Sequence, residues 1–280
     1  MFIHSNTKIV NLRETSVSFF CIARRIYFCT SFVKLDKFLT LQKILTMILC
    51  IETSTAVCSV ALVENGNVIA LRESLDGQNH AEKITIFIDE VMKEAGVAYK
   101  DLDAIATSMG PGSYTGLRIG VSTAKGFCYA LDKPLIAVDT LATMAHGFVS
   151  QQTTDNSQQT LSTVYCPMID ARRMEVYTAF FNEKLERTSD TEALVVDENS
   201  FMELKQNNHL YLFGDGADKL SSLFESENNI TVVEKFHCSA SYMAKLAEEA
   251  YKNKDFVDVA YFEPFYLKNF VPGIPKVKGL

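Results

Sequence analysis

The run SMGPGSYTGLRIGVSTAKGF (108–127) gathers Gly110, Gly112, Gly116, Gly120 and Gly126, five of the chain's 13 glycines, where a loop opens onto an amphipathic stretch. Glycine-rich loops that feed helices bring backbone amides to phosphates, and the helix dipole favours an anion at the first turn. The spacing here fits neither G-x-G-x-x-G nor G-x-x-x-x-G-K-[ST]. No lysine follows Gly116, and Pro111 removes an amide from the part of the loop that would cradle an anion. A phosphate resting near Ser113–Gly116 and a tight strand-to-helix connection with glycines at positive φ both remain compatible with the pattern. Two other clusters carry suitable atoms. Glu52, Thr53, Ser54 and Thr55 put a carboxylate and three hydroxyls on one turn, and Asp170, Arg172, Arg173 and Glu175 surround another. An ordinary Ser/Thr turn and a charged hairpin tip explain them as well. Histidine chemistry is thin: His4, His80, His146, His209 and His237 show no zinc spacing, and no G-x-S-x-G nucleophile motif occurs.

The elements that must position these residues follow from the hydrophobic pattern. MILCIETS (47–54) is a short apolar run ending in turn residues, the mark of a buried strand. Asn65-Gly66, between two β-rich runs, predicts a hairpin. NHAEKITIFIDEVMKEAG (79–96) reads as a helix capped by Asn79, with Glu82 three residues on and Gly96 closing it. A strand over 102–110, a helix over 115–131 and a strand at PLIAVDT (134–140) complete an α/β layer with a mixed sheet. SQQTTDNSQQT (150–160) makes the best domain boundary, dividing a first lobe (47–150) from a second (151–280). Beyond it come two strands about Asp170–Arg172, a strand into Gly-Asp-Gly at 214–216, a serine-capped helix over 239–253 and an irregular aromatic close.

The chain has 280 residues and a formal charge of −7, unevenly spread. Residues 1–46 hold seven Lys/Arg against two acids, leaving 20 basic and 32 acidic residues in the rest. That balance argues against this chain alone gripping a nucleic-acid backbone. Residues 1–46 have no clean period, and a well-patterned domain starts at Met47, so the stretch is expected to lie outside the folded protein. Seven cysteines without a C-x-x-C pair fit a reducing, cytoplasmic compartment, and no apolar run is long enough to span a membrane.

MILCIETSTAVCSVAL, GPGSYTGLRIGVSTAKG, MIDARRMEVY and EPFYLK, in this order over residues 47–267, resemble the TsaB (YeaZ) family of bacterial tRNA-modification proteins. The resemblance implies an actin-like (ASKHA, ribonuclease H-like) α/β fold of two lobes, each with a mixed sheet and flanking helices. In sugar kinases, Hsp70 and actin, the turn corresponding to Glu52–Thr55 faces nucleotide phosphates. It also implies a role beside a TsaD-like catalytic subunit and a TsaE-like ATPase in making threonylcarbamoyladenosine next to the tRNA anticodon. Homodimers are expected when the chain is alone, with tRNA reached only through the complex. In TsaD the strand matching PLIAVDT leads into a helix bearing the two metal-ligating histidines. Here those positions are Thr140 and Met144, which cannot replace two imidazoles for such a metal. His146 lies two residues on, facing another side of the helix. A partner subunit with no catalytic residues, no metal and no cofactor is therefore expected, rather than an active ATP-dependent transferase or a metallopeptidase.

Both early helices are apolar on two sides. On the 115–131 helix, Leu117, Val121, Ala124, Phe127, Cys128 and Leu131 face the sheet, while Ile119, Gly126 and Ala130 lie opposite. Gly116, Gly120, Ala124 and Cys128 form a ridge of small residues that admits a close neighbour. On the 79–96 helix, Ile86 is stranded away from the main face. Ile86, Ile119, Gly116, Gly120, Gly126 and Ala130 are the expected partner interface, with covering by the chain's own C-terminal segment as the alternative.

Overall fold

A computed structural model describes residues 45–77, 79–152 and 161–268. The expectation for residues 1–46 and most of the 150–160 boundary fall outside these. The described residues form one compact unit built on two five-stranded sheets. In the first, β1 (Met47–Glu52) is central: β2 (Cys58–Glu64) and β3 (Asn67–Ser74) lie antiparallel on one side, β4 (Ala104–Gly110) and β5 (Leu135–Asp139) parallel on the other. The second repeats that plan. There β6 (Ser162–Asp170) is central, between antiparallel β7 (Glu175–Thr178) and β8 (Glu192–Val195) and parallel β9 (Asn208–Phe213) and β10 (Ile230–Val233). This strand order is the ribonuclease H-like arrangement expected of an actin-like fold, present twice. The likeness extends to the ends of the fourth strands, where Gly110 and Gly214 hold φ of +112° and +111°. No L side chain adopts that angle readily.

Strand β1 is buried at every position because both sheet faces are covered. Met47, Leu49 and Ile51 point to α1 (His80–Ala95) and α2 (Tyr114–Leu131), while Ile48 and Cys50 point to Ala240, Met243, Ala244 and Ala247. The last two belong to α5 (Ala244–Asn253), which follows the four-residue helix α4 (Ser221–Phe224). Helix α3 (Thr140–Gln151), capped by Asp139 accepting from the Ala142 amide at 2.7 Å, packs instead on the second sheet, setting Leu141, Met144 and Phe148 against Tyr165 and Phe213. The two sheets thus fall on either side of residue 150, but their helices do not. Residues before 150 cover the second sheet, and residues after it cover the first.

The Asn65-Gly66 hairpin is present, with both residues at positive φ (49° and 73°). The side-chain cap at Asn79 is not. Asn79 takes the left-handed conformation (φ 66°), and its backbone carbonyl, not its side chain, accepts from the Glu82 and Lys83 amides. Helix α1 is anchored by the next residue: His80 Nε2 lies 3.1 Å and 3.2 Å from the carbonyl oxygens of Thr55 and Val57.

Candidate functional site

The C-terminal ends of the parallel strands in both sheets open onto a cleft of about 870 Å³, the place where open α/β sheets hold ligands. One wall is Ser54, Thr55, Gly112–Gly116 and Ile119; the other is Ile169–Arg172, Tyr177 and Asp215. Part of each cluster picked out by residue type meets here: Ser54 and Thr55, Gly112 and Gly116, and Asp170 and Arg172, whereas Glu52, Thr53, Arg173 and Glu175 do not line the cleft. On the second wall, Lys219 pairs with Asp170 and donates to the Glu175 carbonyl at 2.7 Å. Asp215 Oδ1 accepts from the Asp170 amide at 3.1 Å, and burial raises the Asp215 pKa above the usual carboxylate range.

The glycine loop is engaged with the chain itself. The Ser113 amide donates to the Ser54 carbonyl at 2.6 Å, and the Gly116 amide is capped by Ser113 Oγ at 3.2 Å. Thr53 Oγ1 in turn donates to the Gly116 carbonyl at 2.8 Å. A Cβ at Gly116 would stand 2.0 Å from the Thr53 carbonyl oxygen, and one at Gly120 would stand 2.2 Å from Thr53 Oγ1. These two glycines let α2 lie directly on the 53–55 turn. They are buried, so they are removed from the expected partner interface: the close neighbour is internal.

Beneath that turn Glu52 is fully buried. Its Oε1 accepts from the Ser54 amide at 2.6 Å, while Oε2 meets no partner among the described residues. Burial raises its pKa, against the opposing pull of Ser54, Cys238 and Ser108. On α3, Thr140 and Met144 are buried, Met144 within the apolar core. His146 is half-buried, and burial lowers its pKa. No three His, Cys, Asp or Glu side chains converge on a metal-sized site among the described residues.

The remaining expected interface residues separate. Ile86 is 54% exposed, and Gly126 and Ala130 are exposed on the outer side of α2 beside Tyr129, at 87%. Ile119 lies nearer the N-terminus of α2 and is more covered. It is half-buried, packs against the core that includes Ile51, Ala124 and Cys128, and lines the cleft.

Comparison with known proteins gives this geometry a context. The TsaD family profile, described as tRNA N6-adenosine threonylcarbamoyltransferase, matches residues 74–268. The Haemophilus influenzae "tRNA threonylcarbamoyladenosine biosynthesis protein TsaB" is 31% identical over 80% of this chain and 94% of its own length. The chain belongs to the TsaB family. The Escherichia coli TsaB is also 31% identical, over 80% of this chain and 95% of its own. The crystal structure of YeaZ from Pseudomonas aeruginosa superposes with a TM-score of 0.65 at 25% identity, covering 79% of this chain and all of that one.

Three features of this TsaB-family chain escaped the sequence reading. Tyr129, at 87%, is the exposed large hydrophobic side chain of α2 but counts as polar in a periodicity argument. Asp215 stands in a turn whose two glycines were the only signal. Lys268 joins Glu175 across 93 residues of sequence, a pairing with no local signature.

Proposed function

We propose that this chain acts in tRNA threonylcarbamoyladenosine biosynthesis as a non-catalytic partner of a TsaD-like transferase, and docks through the outer faces of α1 and α2. The observation that carries the reading is the inner face of α3. The positions where the catalytic relative keeps its metal-ligating histidines hold Thr140 and Met144, and Met144 lies in the apolar core with Phe148 and Phe213. A thioether packed among aromatic rings contributes to stability and offers no site for a hard or borderline cation. The glycine loop supports the same conclusion, because its Ser113 and Gly116 donors are spent on Ser54 and Ser113.

Ile86, Tyr129, Gly126 and Ala130 then supply an apolar surface with one small-residue strip, suited to a helix-on-helix contact. The same face serves a homodimer when the partner is absent. A TsaE-like ATPase completes the complex, tRNA is contacted through the assembly, and the work is done in the cytoplasm. Among the described residues no helix is long and apolar enough to cross a membrane, which accords with that location. The deciding experiment is co-purification with the TsaD-like protein of the same cell, followed by a tRNA modification assay with and without this chain. Full modification by the partner alone would refute the role; modification by this chain alone would refute its non-catalytic character.

A further inference from the structure

The described C-terminal segment does more than close the fold. Leaving α5, it runs beside β5, where the Val257 amide donates to the Leu135 carbonyl at 3.0 Å. The Ala260 carbonyl then accepts from Lys125 of α2 at 3.2 Å, and Phe262 packs on the core of the first sheet. The Phe265 amide donates to the Met109 carbonyl at 2.7 Å, at the end of β4. A Cβ on Gly110 would come within 2.6 Å of the Phe265 carbonyl oxygen, so the segment reaches this strand end only because position 110 is glycine. Next, the Tyr266 ring lies on Tyr114, the first residue of α2, with centroids 4.8 Å apart. Finally Lys268 pairs with Glu175, the first residue of β7 in the second sheet. Tyr266, Leu267 and Lys268 all border the cleft.

We infer that residues 262–268 are a strap that crosses the mouth of the cleft and holds its two walls together, so that the cleft opens only when the strap releases. Its fixed end is the first sheet, secured by the Phe265–Met109 backbone hydrogen bond and by Phe262 packed on the core. Its releasable end is the Lys268–Glu175 pair, which is partly exposed to solvent. Partly exposed ion pairs are weak and screened by salt, so this end gives way first. The strap also touches the first turn of α2, which links the state of the cleft to the position of that helix. This inference does not depend on the proposed docking face.

Hydrogen–deuterium exchange of the full chain tests it. The reporters are peptides covering Gly112–Leu117 on one wall and Asp170–Met174 on the other. Glu175→Ala removes the anchor from the second sheet without altering the strap; Tyr266→Ala with Lys268→Ala loosens the strap without altering the second sheet. Both variants should speed exchange in both reporters severalfold. Raising salt to about 1 M should speed it in the unaltered protein but add little in either variant, because the pair it screens is already gone. Lys252→Ala, which breaks the remote Lys252–Glu248 pair, should leave both reporters unchanged. If Glu175→Ala alone leaves the two reporters at the parental rate, or if salt accelerates the variants as much as the parent, the strap does not hold the cleft. Should the double variant unfold, the Glu175→Ala result decides alone.

Discussion

Glu52 is the residue whose chemistry and position most nearly conflict. It ends a central strand, is completely buried, and keeps one oxygen without a partner among the described residues. Buried carboxyl groups resolve such a conflict by holding the proton, which is the direction of its raised pKa. The folded pKa lies above the unfolded value of about 4.3, so the folded state binds more protons in the interval between them. Stability is therefore lost as pH rises through that interval, and the whole cost is present above it. Glu52→Gln keeps an oxygen for the Ser54 amide and cannot ionise. Its urea midpoint should gain on that of the parent as pH is raised from about 4 to about 8. Midpoints that run parallel across that range would mean that Glu52 ionises without penalty.

Helix α2 presents two unlike faces. Its inner ridge, Gly116 and Gly120, is used up against Thr53, while on its outer strip a Cβ at Gly126 would meet nothing among the described residues and Ala130 is exposed. The contrast between Ile86 and Ile119 separates packing from docking. Ile86→Asp should change stability by no more than about 0.5 kcal/mol, as exposed substitutions do. It should nevertheless weaken binding of the TsaD-like partner tenfold or more, about 1.4 kcal/mol. Ile119→Asp, placing a carboxylate at the edge of the core, should cost about 1–3 kcal/mol of stability. Thermal unfolding of each variant, with titration of the partner, checks the pair. Undiminished binding by Ile86→Asp would move the docking surface elsewhere.

At the scale of the whole molecule the two sheets are locked by exchanged helices. Helix α3 belongs to the first half of the chain and covers the second sheet, while α5 does the reverse. One core face of each sheet is covered by a helix from the other half of the chain, so the two should open as one unit. Two cysteines report on this. Cys50 lies in β1 and Cys166 in β6, both fully buried. Burial pushes the Cys50 thiol up to about 12 and raises Cys166 as well, so neither reacts as thiolate without opening. Their labelling rates, compared by peptide mass spectrometry across increasing urea, should merge well below the unfolding midpoint. Rapid labelling of Cys166 while Cys50 stays protected would show that the second sheet opens alone.

The sequence by itself determined the elements and the family. The apolar run at 47–52, the Asn-Gly turn and the spacing of the glycines are local signals, because strand burial and turn geometry are set by neighbours a few residues away. The four motifs in register carried the family for the same reason: each is a contiguous stretch. The Asn79 cap failed because that residue took a left-handed backbone, which periodicity cannot register. Only the tertiary structure decided which partner each surface meets. It turned Gly116 and Gly120 inward onto Thr53, put Ile119 in the cleft wall, and sent α3 and α5 to each other's sheets. It also joined Lys268 to Glu175 across the cleft. These outcomes depend on contacts between residues tens of positions or more apart, and a helical wheel shows that a face is apolar without showing what will cover it. The doubled strand order belongs to this class as well: hydrogen-bond topology repeats in the two sheets although the residues that build it do not.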